Sequence, residues 1–88
     1  MKKLVTVAEV EGEGLLSLLG ENVVIFCVNY IYAGKLTGVN DKDIELTDAK
    51  IVYETGELCA KGWKDAQPMP DILYIRTMAI ESYGKSGR

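Results

Sequence analysis

Two short stretches of the 88-residue chain hold side chains able to do chemistry. The first is Asn40-Asp41-Lys42-Asp43, followed closely by Glu45. Clustered carboxylates can draw a divalent cation, but these lack calcium-loop spacing, and a solvated turn accounts for them. The second is Lys61-Gly62-Trp63-Lys64, which sets the only tryptophan between two lysines. An aromatic flanked by cations suits a single-stranded nucleic acid, because every base offers a face to stack on. Trp63 equally suits an anchor that ties a long loop to its own domain or to a neighbour, and Asp65 dilutes the local positive charge. The sequence has no histidine, no serine in a nucleophile motif and no glycine-rich phosphate loop, so neither an enzyme nor a cofactor is expected. Cys27 and Cys59 form no C-x-x-C pair, which argues against a zinc site and for free thiols. Cys27 lies in an apolar segment and reads as a small core residue.

Length and charge narrow the classes further. A chain of 88 residues makes a single domain spanning 1–88, with an N-terminal arm at 1–12 and a flexible tail at 84–88. A domain of this size buries only about 60–65% of its unfolded surface, so association with copies of itself is expected. Apolar residues make up 48%, too many for a disordered chain. The longest apolar run, 23–28, is six residues, far short of the roughly 20 needed to cross a bilayer. The first residues lack the pattern of a signal peptide, and a cytoplasmic protein with no membrane partner is expected. Ten basic and thirteen acidic residues leave a net charge of −3, which disfavours non-specific nucleic-acid binding but leaves room for a local basic site.

The elements that must position these residues are mostly strands. Leu15, Leu18 and Leu19 have helical spacing, with Gly20 as a stop, and predict a short helix with an apolar face. Residues 22–28 are apolar on both faces, so one face can form the core while the other meets the helix or a neighbour. Residues 32–39 and 44–54 read as strands joined by the polar turn, with a parity break at Asp48-Ala49 that predicts a bulge. Gly34 and Gly38, four apart inside a strand, predict a sharp bend and a close backbone approach. After Thr55-Gly56, residues 57–61 read as the returning arm of a hairpin, and 62–71, with two prolines, read as a loop. Residues 72–76 and 79–83 are the last strands, joined tightly at Thr77-Met78. The fold class is mainly β: a short N-terminal helix plus a strongly bent five-stranded antiparallel open barrel of the SH3 type.

The order Leu19-Gly20-x-x-Val23-x-Ile25, then Tyr32-x-Gly34-x-Leu36-x-Gly38, then the polar turn, then Ile44-x-Leu46-x-Asp48-Ala49, Thr55-Gly56 and Ile75-Arg76 resembles the Sm and Sm-like proteins. The resemblance spans about residues 13–83, and its divergence is similar to that of Sm-like members carried by bacterial viruses. It implies a helix capping a bent barrel, and a closed homo-oligomeric ring of about five to seven subunits joined edge to edge. It also implies binding of single-stranded, often uridine-rich RNA near a central pore. In the family the turn after the second strand carries an aromatic or histidine that stacks on a base and an asparagine that reads its edge. Here the turn is a residue shorter and has no aromatic, and Asp43 stands where the asparagine is expected. A carboxylate offers acceptors only. The second family motif reads Ile75-Arg76-Thr77, with the arginine kept and threonine in place of glycine. The RNA-contact residues implied are Asn40, Lys42, Asp43 and Arg76, beside Lys61, Trp63 and Lys64 from the loop. Arg76 suits a base or a phosphate, or pairing with Asp43 across the pore rim. The expected function is a ring-forming RNA binder or chaperone with weakened base recognition. The rival expectation is a structural ring or protein-interaction module that does not bind RNA.

Overall fold

The computed structural model describes residues 14–57, 60–69 and 71–88. The N-terminal arm expected at 1–12 and Cys59 lie outside the described residues. A 3-10 helix at Leu15–Leu18 leads into six strands: β1 (Asn22–Cys27), β2 (Ile31–Val39), β3 (Asp43–Glu54), β4 (Asp65–Pro68), β5 (Ile72–Arg76) and β6 (Ile80–Lys85). All pairings are antiparallel, in the order β4-β3-β2-β1-β6, with β5 also on β3. The sheet is not closed.

The helical segment is shorter and tighter than the leucine spacing predicts. Three residues per turn place Leu15 and Leu18 on one side, and these two pack on the core while Leu16 and Leu19 stay exposed. The packed pair is therefore Leu15 with Leu18, without Leu19. Gly14 (φ 74°) and Gly20 (φ 86°) bracket the segment in the left-handed region. Two backbone bonds dock it on β2: Gly20 N–H to the Leu36 carbonyl at 2.7 Å, and Leu36 N–H to the Glu21 carbonyl at 2.9 Å.

The bend lies where the glycines and the parity break predict it. The β2–β3 register steps from Ala33↔Lys50 to Lys35↔Thr47, so β3 carries one extra residue opposite Gly34. Asp48 takes up that residue with φ 51°. A Cβ on Gly34 would stand 3.0 Å from the Thr47 carbonyl oxygen and 3.1 Å from Ala49 Cα, so the two backbones meet where no side chain fits. A second shift, between Leu36 and Gly38, curls the strand again.

Residues 57–61 do not form the returning arm at their described positions. That arm is β4, inside the segment expected to be a loop. Its pairing leaves β4 at the sheet edge, where Pro68 deprives no inner strand of a donor. Opposite the β3 bulge the chain steps out at Met69, whose N–H reaches the Ala49 carbonyl at 2.8 Å, and it rejoins β3 as β5.

Both faces of the curled sheet carry buried groups. Val23, Ile25, Leu36, Ile44, Leu46, Ala49 and Ile75 form the core on one face. On the other, the cross-strand row Phe26–Ile31–Val52–Ala66 runs across four strands, with Val52 only 4% exposed. On this second face of β1, Val24 and Phe26 line a pocket with Trp63 and residues 85–88. The tail expected to be flexible at 84–88 runs as strand to Lys85. Ser86 N–H then bonds the Asn22 carbonyl at 2.8 Å, and its side chain is buried.

Candidate nucleic-acid interface

The polar turn is built by its first residue. The Asn40 side-chain oxygen accepts from the Lys42 and Asp43 N–H groups, both at 2.8 Å, while Asn40 N–H donates to the Asp43 carbonyl at 3.0 Å. Asn40 is thus spent on its own turn, as an Asx motif. The connection after β5 grips the same turn. Thr77 N–H donates to the Lys42 carbonyl at 2.8 Å, and Thr77 Oγ1 to the Asp41 carbonyl at 2.9 Å. Thr77 therefore serves as the clasp between turn and strand end.

This clasp sets Asp43 and Arg76 directly across from each other in the β3–β5 ladder. Within the single chain no ion pair joins them; Arg76 is exposed and among the described residues donates to no partner. Lys42 is exposed on the same rim. One strand step inward, Glu45 accepts from Thr37 Oγ1 at 2.8 Å and from the Tyr74 hydroxyl at 3.0 Å. That hydrogen bond, and then the carboxylate charge, raise the Tyr74 pKa above its ordinary 10.0. Glu45 is thereby committed to neighbours, and no group of three or more histidine, cysteine, aspartate or glutamate side chains is placed to hold a metal among the described residues.

Beside Arg76 lies an open groove of about 340 Å³, walled by Cys27, Tyr30, Tyr32, Leu73 and Tyr74. The Tyr30 and Tyr32 rings stand 6.2 Å apart at 49°. Burial, first of all, raises the pKa of Tyr32, and burial raises that of the free thiol of Cys27. Sequence reading missed this groove. Tyr30 and Tyr32 straddle a turn and a strand start, and only the return of β5, some 40 positions later, makes them neighbours of Arg76.

The loop candidates lie elsewhere. Asp43 opens β3 and Glu54 closes it, and Lys64 Nζ pairs with Glu54 at 3.2 Å, so the Lys61–Trp63–Lys64 stretch sits at the far end of the longest strand from Arg76. The structure does not bring the two clusters together. Trp63 anchors the loop to its own chain through a residue that carries no local signal: the Arg88 guanidinium lies 3.9 Å over its ring. Arg88 Nη1 also donates to the carbonyls of Thr55 at 2.7 Å, Glu57 at 3.2 Å and Gly62 at 3.2 Å. One stacking face of Trp63 is therefore occupied.

No protein-family model, curated protein or solved structure matches the chain. No helix among the described residues is long and apolar enough to cross a membrane.

Proposed function

We propose that the chain is an Sm-like subunit of a homo-oligomeric ring, with a rim that contacts single-stranded, uridine-rich RNA through Arg76 and Lys42. The observation that carries this reading is the clasp: Thr77 ties the turn after β2 to the end of β5 and leaves the Arg76 guanidinium exposed beside an aromatic groove. The strand order supports the same fold. β4 and β5 follow one another along β3 and are interrupted only by the step at Met69, so counted as one bent strand they reduce the sheet to five. The glycine-and-bulge kink at Gly34 and Asp48 gives the curvature an open barrel needs. Ring closure would pair the outer borders of β5 and β6 between copies and remove two exposed edges.

Base recognition in such a ring is weak. Asn40 is consumed by its turn, and Asp43 repels phosphate, so Arg76 supplies most of the attraction. Fluorescence anisotropy with labelled oligo-U tests the reading. Binding at low salt that fades at high salt, and that drops about tenfold in Arg76→Ala, is the expected result. No binding at low salt sinks the RNA reading and leaves the second one, a ring used for structure or protein contacts. The net charge of −3 and the covered face of Trp63 favour that second reading.

A further inference from the structure

The connection from β3 to β4 closes around the tip of one side chain. The carbonyls of Thr55, Glu57 and Gly62 converge on Arg88 Nη1 at 2.7, 3.2 and 3.2 Å. They come from both ends of the connection, which an Ala60 N–H to Glu57 carbonyl bond of 3.0 Å folds back on itself. Gly56, with φ 74°, turns the chain between the first two carbonyls, a conformation that L side chains seldom adopt. The fourth wall is the Trp63 ring, whose centroid lies 3.9 Å from the guanidinium carbon. Carbonyl oxygens only accept, and the face of an aromatic ring is negative, so all four walls suit a cation. They also suit a flat one. A guanidinium lies on the indole while its in-plane N–H groups reach carbonyls at the border. An ammonium is a compact point charge that holds its water more strongly, so it gains less from the same walls.

We propose that this connection is a guanidinium receptor, occupied in cis by Arg88, whose ligand in trans is the arginine side chain of a partner peptide. Any apolar contact could anchor a tail. Three converging acceptors beside a ring face instead specify one cation, which is what a receptor requires. The segment that supplies Arg88 is short and tied down: Ser86 N–H bonds the Asn22 carbonyl at 2.8 Å, and Arg88 N–H bonds Ser86 Oγ at 3.1 Å. Such a tether gives the resident arginine a high effective concentration, so the unaltered chain fills its own site. The contacts to the Glu57 and Gly62 carbonyls are exposed, which opens the cage to a competing arginine from solvent. This site is separate from the Arg76 rim and depends on neither ring formation nor RNA.

Arg88→Ala empties the cage, and Trp63, the only tryptophan, reports on it by fluorescence. The probes are N-acetylargininamide and N-acetyllysinamide, neither of which carries a carboxylate. The expected result is a saturable change in the variant's emission with a midpoint on the order of millimolar argininamide. Lysinamide should be about tenfold weaker or worse, and the unaltered chain should respond to argininamide about tenfold less, because Arg88 competes. Should Arg88→Ala not fold, the resident arginine is read in the unaltered chain by NMR. Its guanidinium protons, stacked on the ring and held by carbonyls, should give separate signals shifted upfield, and excess argininamide but not lysinamide should collapse them to one. The proposal is overturned if argininamide leaves the variant's emission unchanged through tens of millimolar, or if lysinamide acts as well, which marks an unselective cation contact. It is equally overturned if the Arg88 signals already average in the unaltered chain or stay unmoved in excess argininamide. A response of the variant to oligo-U alone also overturns it, and marks the ring as a base-stacking face that the tail covers.

Discussion

Asp48 is the one non-glycine residue of the described chain with positive φ, at 51°, and it sits in the bulge that bends β3. Aspartate tolerates the left-handed region better than most residues, and a β-branched side chain tolerates it poorly. Asp48→Gly should therefore leave stability unchanged or raise it by up to about 1 kcal/mol, whereas Asp48→Val should cost about 1–2 kcal/mol, read as urea midpoints at constant m-value. Titration makes a second residue-scale prediction. The resolved shifts all raise a pKa: burial lifts Cys27 above 9.0, burial first of all lifts Tyr32 above 10.0, and the Glu45 hydrogen bond lifts Tyr74 above 10.0. The folded chain then holds these protons more tightly than the unfolded chain does. Their contribution is complete below about pH 9 and is lost as pH rises through the folded values. The chain has no histidine, so no imidazole adds a step near neutrality. Urea midpoints should hold level from about pH 6 to 8 and fall above pH 9, with a shallower alkaline fall in Tyr74→Phe, which lacks the ionisable hydroxyl.

Among the elements, the β2–β3 kink makes the sharpest contrast. Gly34 faces two fixed backbone atoms at 3.0 and 3.1 Å, Gly38 faces one close atom, the Glu45 Cβ at 3.1 Å, and Gly62 faces open space. Alanine should cost about 2 kcal/mol or more at position 34 and less at 38, and change stability by under about 0.5 kcal/mol at 62, measured by denaturant titration. These elements were also the legible ones. The glycine pair with the parity break at Asp48-Ala49 located the bend, because both signals are local and follow from the period-2 rule of a strand. The helical segment was legible in place but not in pitch, since leucine spacing alone does not separate three residues per turn from 3.6. β4 was read as loop because the two prolines of segment 62–71, one of them in β4, outweigh four residues of pattern, and nothing local says that β4 lies at a sheet edge. At the site, the polar turn was legible from its run of asparagine and aspartate. The roles of Thr77, Tyr30 and Arg88 were not, because each depends on a contact with a residue far away in sequence.

For the whole molecule, the decisive question is what meets the outer borders of β5 and β6. Each pairs on one side only, β5 with β3 and β6 with β1. They carry no proline, and β5 carries no lysine. Large apolar groups flank them in the single chain: Ile72 is 48% exposed, Tyr74 63%, Met78 88% and Tyr83 41%. A monomer seldom leaves long apolar edges open to solvent, because they pair with whatever strand arrives. In the proposed ring, a rotation that closes would bring the β5 border of one copy against the β6 border of the next. The two borders belong to one chain but differ in sequence, so the contact is heterologous, and blocking either border should break the assembly. Sedimentation velocity should accordingly give a single species at a small multiple of the 9.7 kDa subunit mass. Ile72→Lys and Tyr83→Lys place a charge on one border each, on exposed side chains that hold no core position, so both should sediment as folded monomers with the far-ultraviolet spectrum of the parent. Mixing the two monomers is more telling still. Each keeps one intact border, so together they can form a single heterologous junction but no closed ring, and a dimer is the expected product. A parent chain that sediments cleanly as a monomer, or a pair of variants that still assembles fully, places the contact somewhere other than these two strands.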